Sequence, residues 1–192
     1  TNAEKSSFLT KGEDILIQEY TKVKDWNSIY TVVENITIAP SAITQYGNKA
    51  YYINLGTGVT DFRYYVSSRC MINKTAPIAI DDEKINCEII DKENAYRFIV
   101  TGYNKPYFKY PKVFLEYDRS NAREILVILI DYYSSIVDEF ELTYVRKPAG
   151  IDIDGSVTSE LPEYLHKDVV SLAVQEAVKS LYISKTPQTP RQ

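Results

Sequence analysis

Histidine, methionine and tryptophan each occur once in this 192-residue chain, and cysteine occurs twice. One His and two Cys exclude most zinc sites built on several of these ligands, and the spacing of Cys70 and Cys87 fits no metal or redox motif. Any Ser-His-Asp or Cys-His scheme must use His166. That residue sits one position beyond the apolar Leu165 in a helical pattern, so it reads as a boundary residue that bonds locally. The seven glycines include no phosphate-cradling loop, since Gly56-Thr57-Gly58 is too short and reads as a turn. Asp152-Ile153-Asp154-Gly155 resembles part of a calcium loop. Placing Gly155 at the sixth position, however, leaves Gly150 at the first and Leu161 at the twelfth, where ligands are essential; the stretch reads as a polar linker. No apolar run approaches the ~20 residues that cross a bilayer, and the longest, Ile125 to Ile130, is a strand's length. Thr1-Asn2-Ala3-Glu4-Lys5 has no apolar core of a signal peptide, so no export and free thiols are expected. Positive charge is also short: Lys+Arg is 22 against Asp+Glu 26, a net −4, with a pI of about 5.2. That disfavours a protein that wraps duplex DNA. Carboxylates are plentiful, but no local context singles out a catalytic pair. The sequence reads as a non-enzyme with no metal and no cofactor.

What is present is a globular composition, 44% hydrophobic and 25% charged, and an excess of tyrosine: 17 Tyr against 6 Phe. Tyr suits half-buried strands and protein interfaces, so it points to a tyrosine-rich sheet or to an extensive subunit interface. Residues 1–28 read as an N-terminal helical segment. Ser7 is its N-cap candidate, and Leu9, Leu16 and Val23, widened by Ile15 and Tyr20, form its stripe. Gly12 weakens that helix or marks a close helix crossing. Residues 29–147 read as a β-rich domain. Its strand candidates are Ile29–Ile38 (with Tyr30, Val32, Ile36 and Ile38 on one face), Ala50–Leu55, Phe62–Met71, Ile85–Ile90, Tyr96–Thr101, Val113–Tyr117, Ile125–Ile130 and Phe140–Val145. Pro40 stops the first ladder. Turn clusters lie between them, including Asp81-Asp82-Glu83 and Asp91-Lys92-Glu93-Asn94. Ile125–Ile130 is apolar on both faces and should be a central strand. A linker (148–160) then leads to a C-terminal helix (161–184), with Ser159 as a cap candidate and Pro162 in its first turn. Its core stripe is Leu161, Leu165, Val169, Leu172 and Ala173, continued by Ala177, Val178 and Leu181. Residues 185–192, with two Pro and no apolar anchor, read as a flexible tail.

The expected fold class is α+β: N- and C-terminal amphipathic helices flanking a β-sandwich or partly closed barrel of about eight antiparallel strands. The simplest arrangement packs the two helices together, with the β-region as a long insertion; the alternative packs one helix on each sheet face. One stretch has the composition of a nucleic-acid stacking groove: Tyr103-Asn104-Lys105-Pro106-Tyr107-Phe108-Lys109-Tyr110-Pro111-Lys112. In an acidic chain it reads better as a loop that docks on a neighbouring subunit. Tyr103, Tyr107, Phe108 and Tyr110 are thus interface candidates, with Phe8 and Leu9 of the first helix. The acidic stretch from Asp81 to Glu93 reads as a solvated edge.

Two segments resemble a known family. Ser7-Phe8-Leu9-Thr10-Lys11-Gly12-Glu13-Asp14-Ile15-Leu16-Ile17 is similar to the N-terminal helix motif of the portal-vertex ring, or head–tail connector (adaptor), proteins of tailed bacteriophages, best matched in crAss-like phages. Leu161-Pro162-Glu163-Tyr164-Leu165-His166-Lys167-Asp168-Val169-Val170-Ser171-Leu172-Ala173-Val174 is similar to the C-terminal helix of the same group. The matched stretches cover about an eighth of the chain, 25 of its 192 residues. The resemblance implies a structural virion protein, assembled in the host cytoplasm, that joins head to tail as a homo-oligomer, a dodecamer by the portal's usual symmetry. Its partners would be the portal protein and other neck and tail rings. DNA would pass through the lumen without specific binding, and no membrane is involved. The other class of reading is a β-sandwich module of a virion or cell surface that binds a glycan or receptor.

Overall fold

A computed structural model describes residues 1–43, 50–74, 80–100, 110–119, 123–130 and 135–185. The fold is α+β. Helix α1 spans Asn2–Val23, α2 Lys92–Val100 and α3 His166–Lys185. The strands are β1 (Val33–Ile38), β2 (Ser41–Ile43), β3 (Ala50–Asn54), β4 (Phe62–Lys74), β5 (Ile80–Asn86), β6 (Glu88–Ile89), β7 (Lys112–Asp118), β8 (Arg123–Leu129) and β9 (Ser135–Arg146). Among the described residues they form two sheets, β1-β9-β4-β5 and β2-β3-β8-β7-β6, and neither closes into a barrel. The chain divides into two compact units. One is residues 1–33 with 146–192, the other residues 34–145.

In the second unit the two sheets share a core. Cys70 and Ile72 of β4 and Phe140 and Leu142 of β9 come from the four-stranded sheet. Ile53 of β3, Val113 of β7 and Leu126 and Ile128 of β8 come from the five-stranded one. The opposite face of the five-stranded sheet forms a second cluster. There Ile125, Val127 and Leu129 of β8 pack with Phe114 and with Ala95 of α2. Strand β8 is the middle strand of five. Its side chains alternate between the two clusters, which is why it is apolar on both faces.

Several sequence expectations are corrected. Tyr96–Thr101 reads as a strand because of its aromatic and β-branched residues, yet Lys92–Val100 is helix α2. The residues read as a turn start it: Asn94 N–H donates to the Asp91 carbonyl (2.9 Å), and Glu93 stands in the first turn, where an acid suits the helix dipole. Asp81-Asp82-Glu83 is no turn but part of β5, the edge strand of its sheet. An exposed edge tolerates such charge, which blunts strand addition. The Ile85–Ile90 strand is split at Cys87 between β5 and β6, which lie in different sheets. The described strands number nine, and the sheets are not wholly antiparallel, because β6 runs parallel to β7. Ile29–Ile38 begins with a 3-10 turn at Tyr30–Val32, which leaves Tyr30 exposed and off the shared face. The break at Pro40 separates β1 of one sheet from β2 of the other. The tyrosines do line the sheets: Tyr51 and Tyr52 lie on β3, Tyr64 and Tyr65 on β4, Tyr117 on β7 and Tyr144 on β9.

Tyr144 is buried against Phe62, ring centroids 5.7 Å apart. Its hydroxyl donates to Asp61 Oδ1 (2.9 Å) and to Glu34 Oε2 (3.2 Å), so one proton is shared between two carboxylates. Burial and the adjoining acids push the phenol well above its ordinary range. Tyr144→Phe should remove that donor and cost about 1–3 kcal/mol of stability, readable by chemical denaturation.

Candidate subunit interface

The first unit is built on α1 and α3, the helices that carry the two family-like segments. Thr1, not Ser7, is the N-cap of α1: its hydroxyl accepts the Glu4 N–H, and the Glu4 side chain reaches back in a capping box. The helix ends at Lys24 in the left-handed conformation, φ 57°. Its buried residues are Gly12, Glu13, Leu16 and Ile17. Val23, which the seven-residue spacing places on the core stripe, is 72% exposed. Val23 is the last residue of α1, and a 3.6-residue period drifts by about 40° from a strict heptad over the two heptads from Leu9.

Gly12 marks a close crossing. A Cβ there would lie 2.6 Å from the Val169 carbonyl oxygen and 2.9 Å from the Ala173 backbone nitrogen. At the same level Glu13 is fully buried. Its Oε1 accepts the Ser159 hydroxyl (2.5 Å) and the Glu160 N–H (3.2 Å), so it ties the linker to the helix pair. Sequence reasoning missed Glu13, because a Glu on a helix reads as solvated. Burial, ahead of the nearby Glu160 charge, raises its pKa above the ordinary 4.5. A folded-state value above the unfolded one means that this group favours the fold most below about pH 4.5. That contribution fades as pH climbs through the raised value. The stability of Glu13→Gln relative to the native chain should therefore increase from pH 4.5 toward 7, as read from urea unfolding at each pH. Lys11 pairs with Glu176 across the two helices (2.6 Å), and Lys11 and Lys179 hold that carboxylate at about 2.

The linker folds into a tight loop closed by paired Asp152 and Val157; among the described residues no cluster of three or more His, Cys, Asp or Glu could hold a metal. The Asp154 N–H donates to Asp152 Oδ1 (3.1 Å). Helix α1 holds the loop: Ser6 and Thr10 hydroxyls accept the N–H groups of Ile153 (3.0 Å) and Ile151 (2.9 Å), and Asn2 donates to Asp154. Between this loop and the helices runs a largely apolar groove of about 430 Å³, whose lining includes Leu9, Ile153, Val157, Val169 and Val170. A second groove, of about 410 Å³, is lined by Leu16, Tyr20, Val23 and Leu172 with the acids Glu19 and Asp168.

Helix α3 has two apolar faces. Leu161 and Leu165, just before and in the 3-10 turn Glu163–Leu165, are buried with Val169 and Ala173. Leu172 is half-buried beside them. His166 caps locally, its Nε2 2.8 Å from the Leu161 carbonyl oxygen. At 100° per residue the opposite face carries Val170, Val174, Val178 and Leu181, which are 50%, 56%, 43% and 59% exposed. The expected core stripe thus stops near Ala177, and Val178 and Leu181 leave it for solvent. Phe8 and Leu9 are half-buried. Tyr110, in the second unit, is 65% exposed. Tyr103, Tyr107 and Phe108 lie outside the described residues, as do 186–192 of the expected tail.

No helix is long and apolar enough to cross a membrane among the described residues. A scan against protein-family models finds no match to this chain, and a search of curated protein sequences finds none either.

Proposed function

We propose that this chain is a structural subunit that assembles with copies of itself into a ring of the head–tail connector kind, at the portal vertex of a tailed bacteriophage. One observation carries the reading. The two segments that resemble connector proteins form a single helix pair, and α3 of that pair presents a second apolar face to solvent. A cyclic ring requires two different, complementary patches on each subunit. The exposed stripe Val170, Val174, Val178 and Leu181 is one patch, with the basic Lys167 beside it. The groove at Leu16, Tyr20, Val23 and Leu172 is the other, flanked by the acids Glu19 and Asp168. Its apolar floor and opposite charge suit the stripe of the next copy. The stripe exposes on the order of 400 Å², about half of the roughly 800 Å² that each partner brings to a standard interface. A polar rim supplies the remainder.

Native mass spectrometry of the full chain, alone and mixed with its portal, should give a closed oligomer. The double variant Val170→Asp, Val174→Asp should remain a folded monomer with an unchanged helical spectrum. A native chain that stays monomeric in both settings at tens of micromolar, or that binds a glycan as a stable monomer, would overturn the reading in favour of a surface binding module.

A further inference from the structure

Cys70 and Cys87 lie 17 positions apart in sequence, yet their sulfur atoms are 3.1 Å apart. The register of β4 and β5 brings them together. Arg69 stands opposite Asn86 and Cys70 opposite Ile85, and the pairing continues one residue further, where Cys87 N–H donates to the Ser68 carbonyl (3.0 Å). Cys87 therefore sits diagonal to Cys70, two positions along the partner segment, on the same face. It is also the single residue between β5 of one sheet and β6 of the other, and the next N–H, of Glu88, already bonds the Pro111 carbonyl (2.9 Å). Cys70 is fully buried in the core shared by the sheets, and Cys87 is half-buried at its margin. Tyr65 packs on the same cluster, its hydroxyl 2.8 Å from Ser68 Oγ.

We propose that Cys70 and Cys87 form a thiol–disulfide couple, a modification site at which a small-molecule disulfide such as glutathione disulfide closes an intrachain bond. The sulfurs need to approach by only about 1 Å to reach the ~2.05 Å of a disulfide. Cys87, the accessible partner, attacks one sulfur of the oxidant. A Cys87–glutathione mixed disulfide forms, and one glutathione leaves with the thiol proton. Cys70 then attacks the Cys87 sulfur, the mixed bond breaks, and the second glutathione leaves with the second proton. The two protein thiols are oxidised and one glutathione disulfide is reduced to two glutathiones. This order fits the burial of Cys70, whose thiol is held well above its ordinary pKa by its contact with Cys87 and by its surroundings. The bond would staple β4 to the point where the chain passes from one sheet to the other. The site lies wholly in the second unit and is independent of the ring reading.

The native full chain, incubated with glutathione disulfide and freed of reagent, should lose two hydrogens in mass and both thiols titratable in denaturant. It should yield one linked peptide pair containing Cys70 and Cys87. Its melting temperature should rise by roughly 10 °C, as expected for a loop of this length, and dithiothreitol should reverse the shift. Cys70→Ala should instead retain glutathione on Cys87. Both thiols still titratable after native oxidation, a mixed disulfide that persists in the native chain, or bonds only between chains would each overturn the proposal. The mass of the native chain decides it even if the variant fails to fold.

Discussion

Gly12→Leu should cost the helical unit about 3 kcal/mol or more and lower its melting temperature by about 10 °C. All three atoms that a new Cβ would meet, the Val169 carbonyl oxygen at 2.6 Å, the Ala173 nitrogen at 2.9 Å and the Ala173 Cα at 3.2 Å, are backbone. No rotamer change relieves such contacts; the helices themselves must separate. Separation would loosen the buried Leu16, Ile17, Leu165 and Val169 together. Gly12→Ala isolates the clash. Alanine gains about 1 kcal/mol in helix propensity over glycine, so a net loss in that variant shows that contact outweighs propensity. Gly150→Ala is the control in the same unit: its nearest atom would be 3.7 Å away, and it should be close to neutral. Thermal unfolding followed by circular dichroism checks all three, and a Gly12→Ala protein more stable than the native one would contradict the crossing.

Val169→Asp should be the most damaging single change on α3, at about 4 kcal/mol or more, because it places a charge without a partner at a position 2% exposed. Its neighbour Val170 is 50% exposed on the outer side. Val170→Asp should cost the isolated chain no more than about 1 kcal/mol, since a surface change away from caps and core is small. The contrast between adjacent valines separates fold from assembly. Denaturation should register the first variant, and native mass spectrometry the second. If Val170→Asp unfolds the chain as readily as Val169→Asp, the outer stripe belongs to the core and the proposed interface fails.

Much of the first unit was readable along the chain. Leu161, Leu165, Val169 and Ala173 recur at helical spacing and are buried, and Gly12 stands out as the one residue whose presence in a helix requires a reason. Glu13 was not readable. Its type and position suggest water, and only the return of Ser159 and Glu160 from 146 and 147 positions away gives its carboxylate donors. Val178 and Leu181 misled in the opposite direction, because periodicity reveals that a helix has an apolar face without saying how far a partner helix covers it. Helix α2 misread for a different cause. Short segments with β-branched and aromatic residues are ambiguous by pattern, and the burial of Ala95 against the five-stranded sheet is a tertiary fact.

The sequence by itself determined the element types of the long segments and the double-sided burial of β8. These follow from local periodicity and from side-chain chemistry that acts over a few residues. Tertiary structure alone decided which helices cross at Gly12, that Cys70 and Cys87 meet, that one face of α3 remains outside, and that the chain changes sheet at Cys87. Each depends on strand register or on contacts between segments remote in sequence. Such pairings are selected by the packing of the whole core, and no local window of residues contains that information.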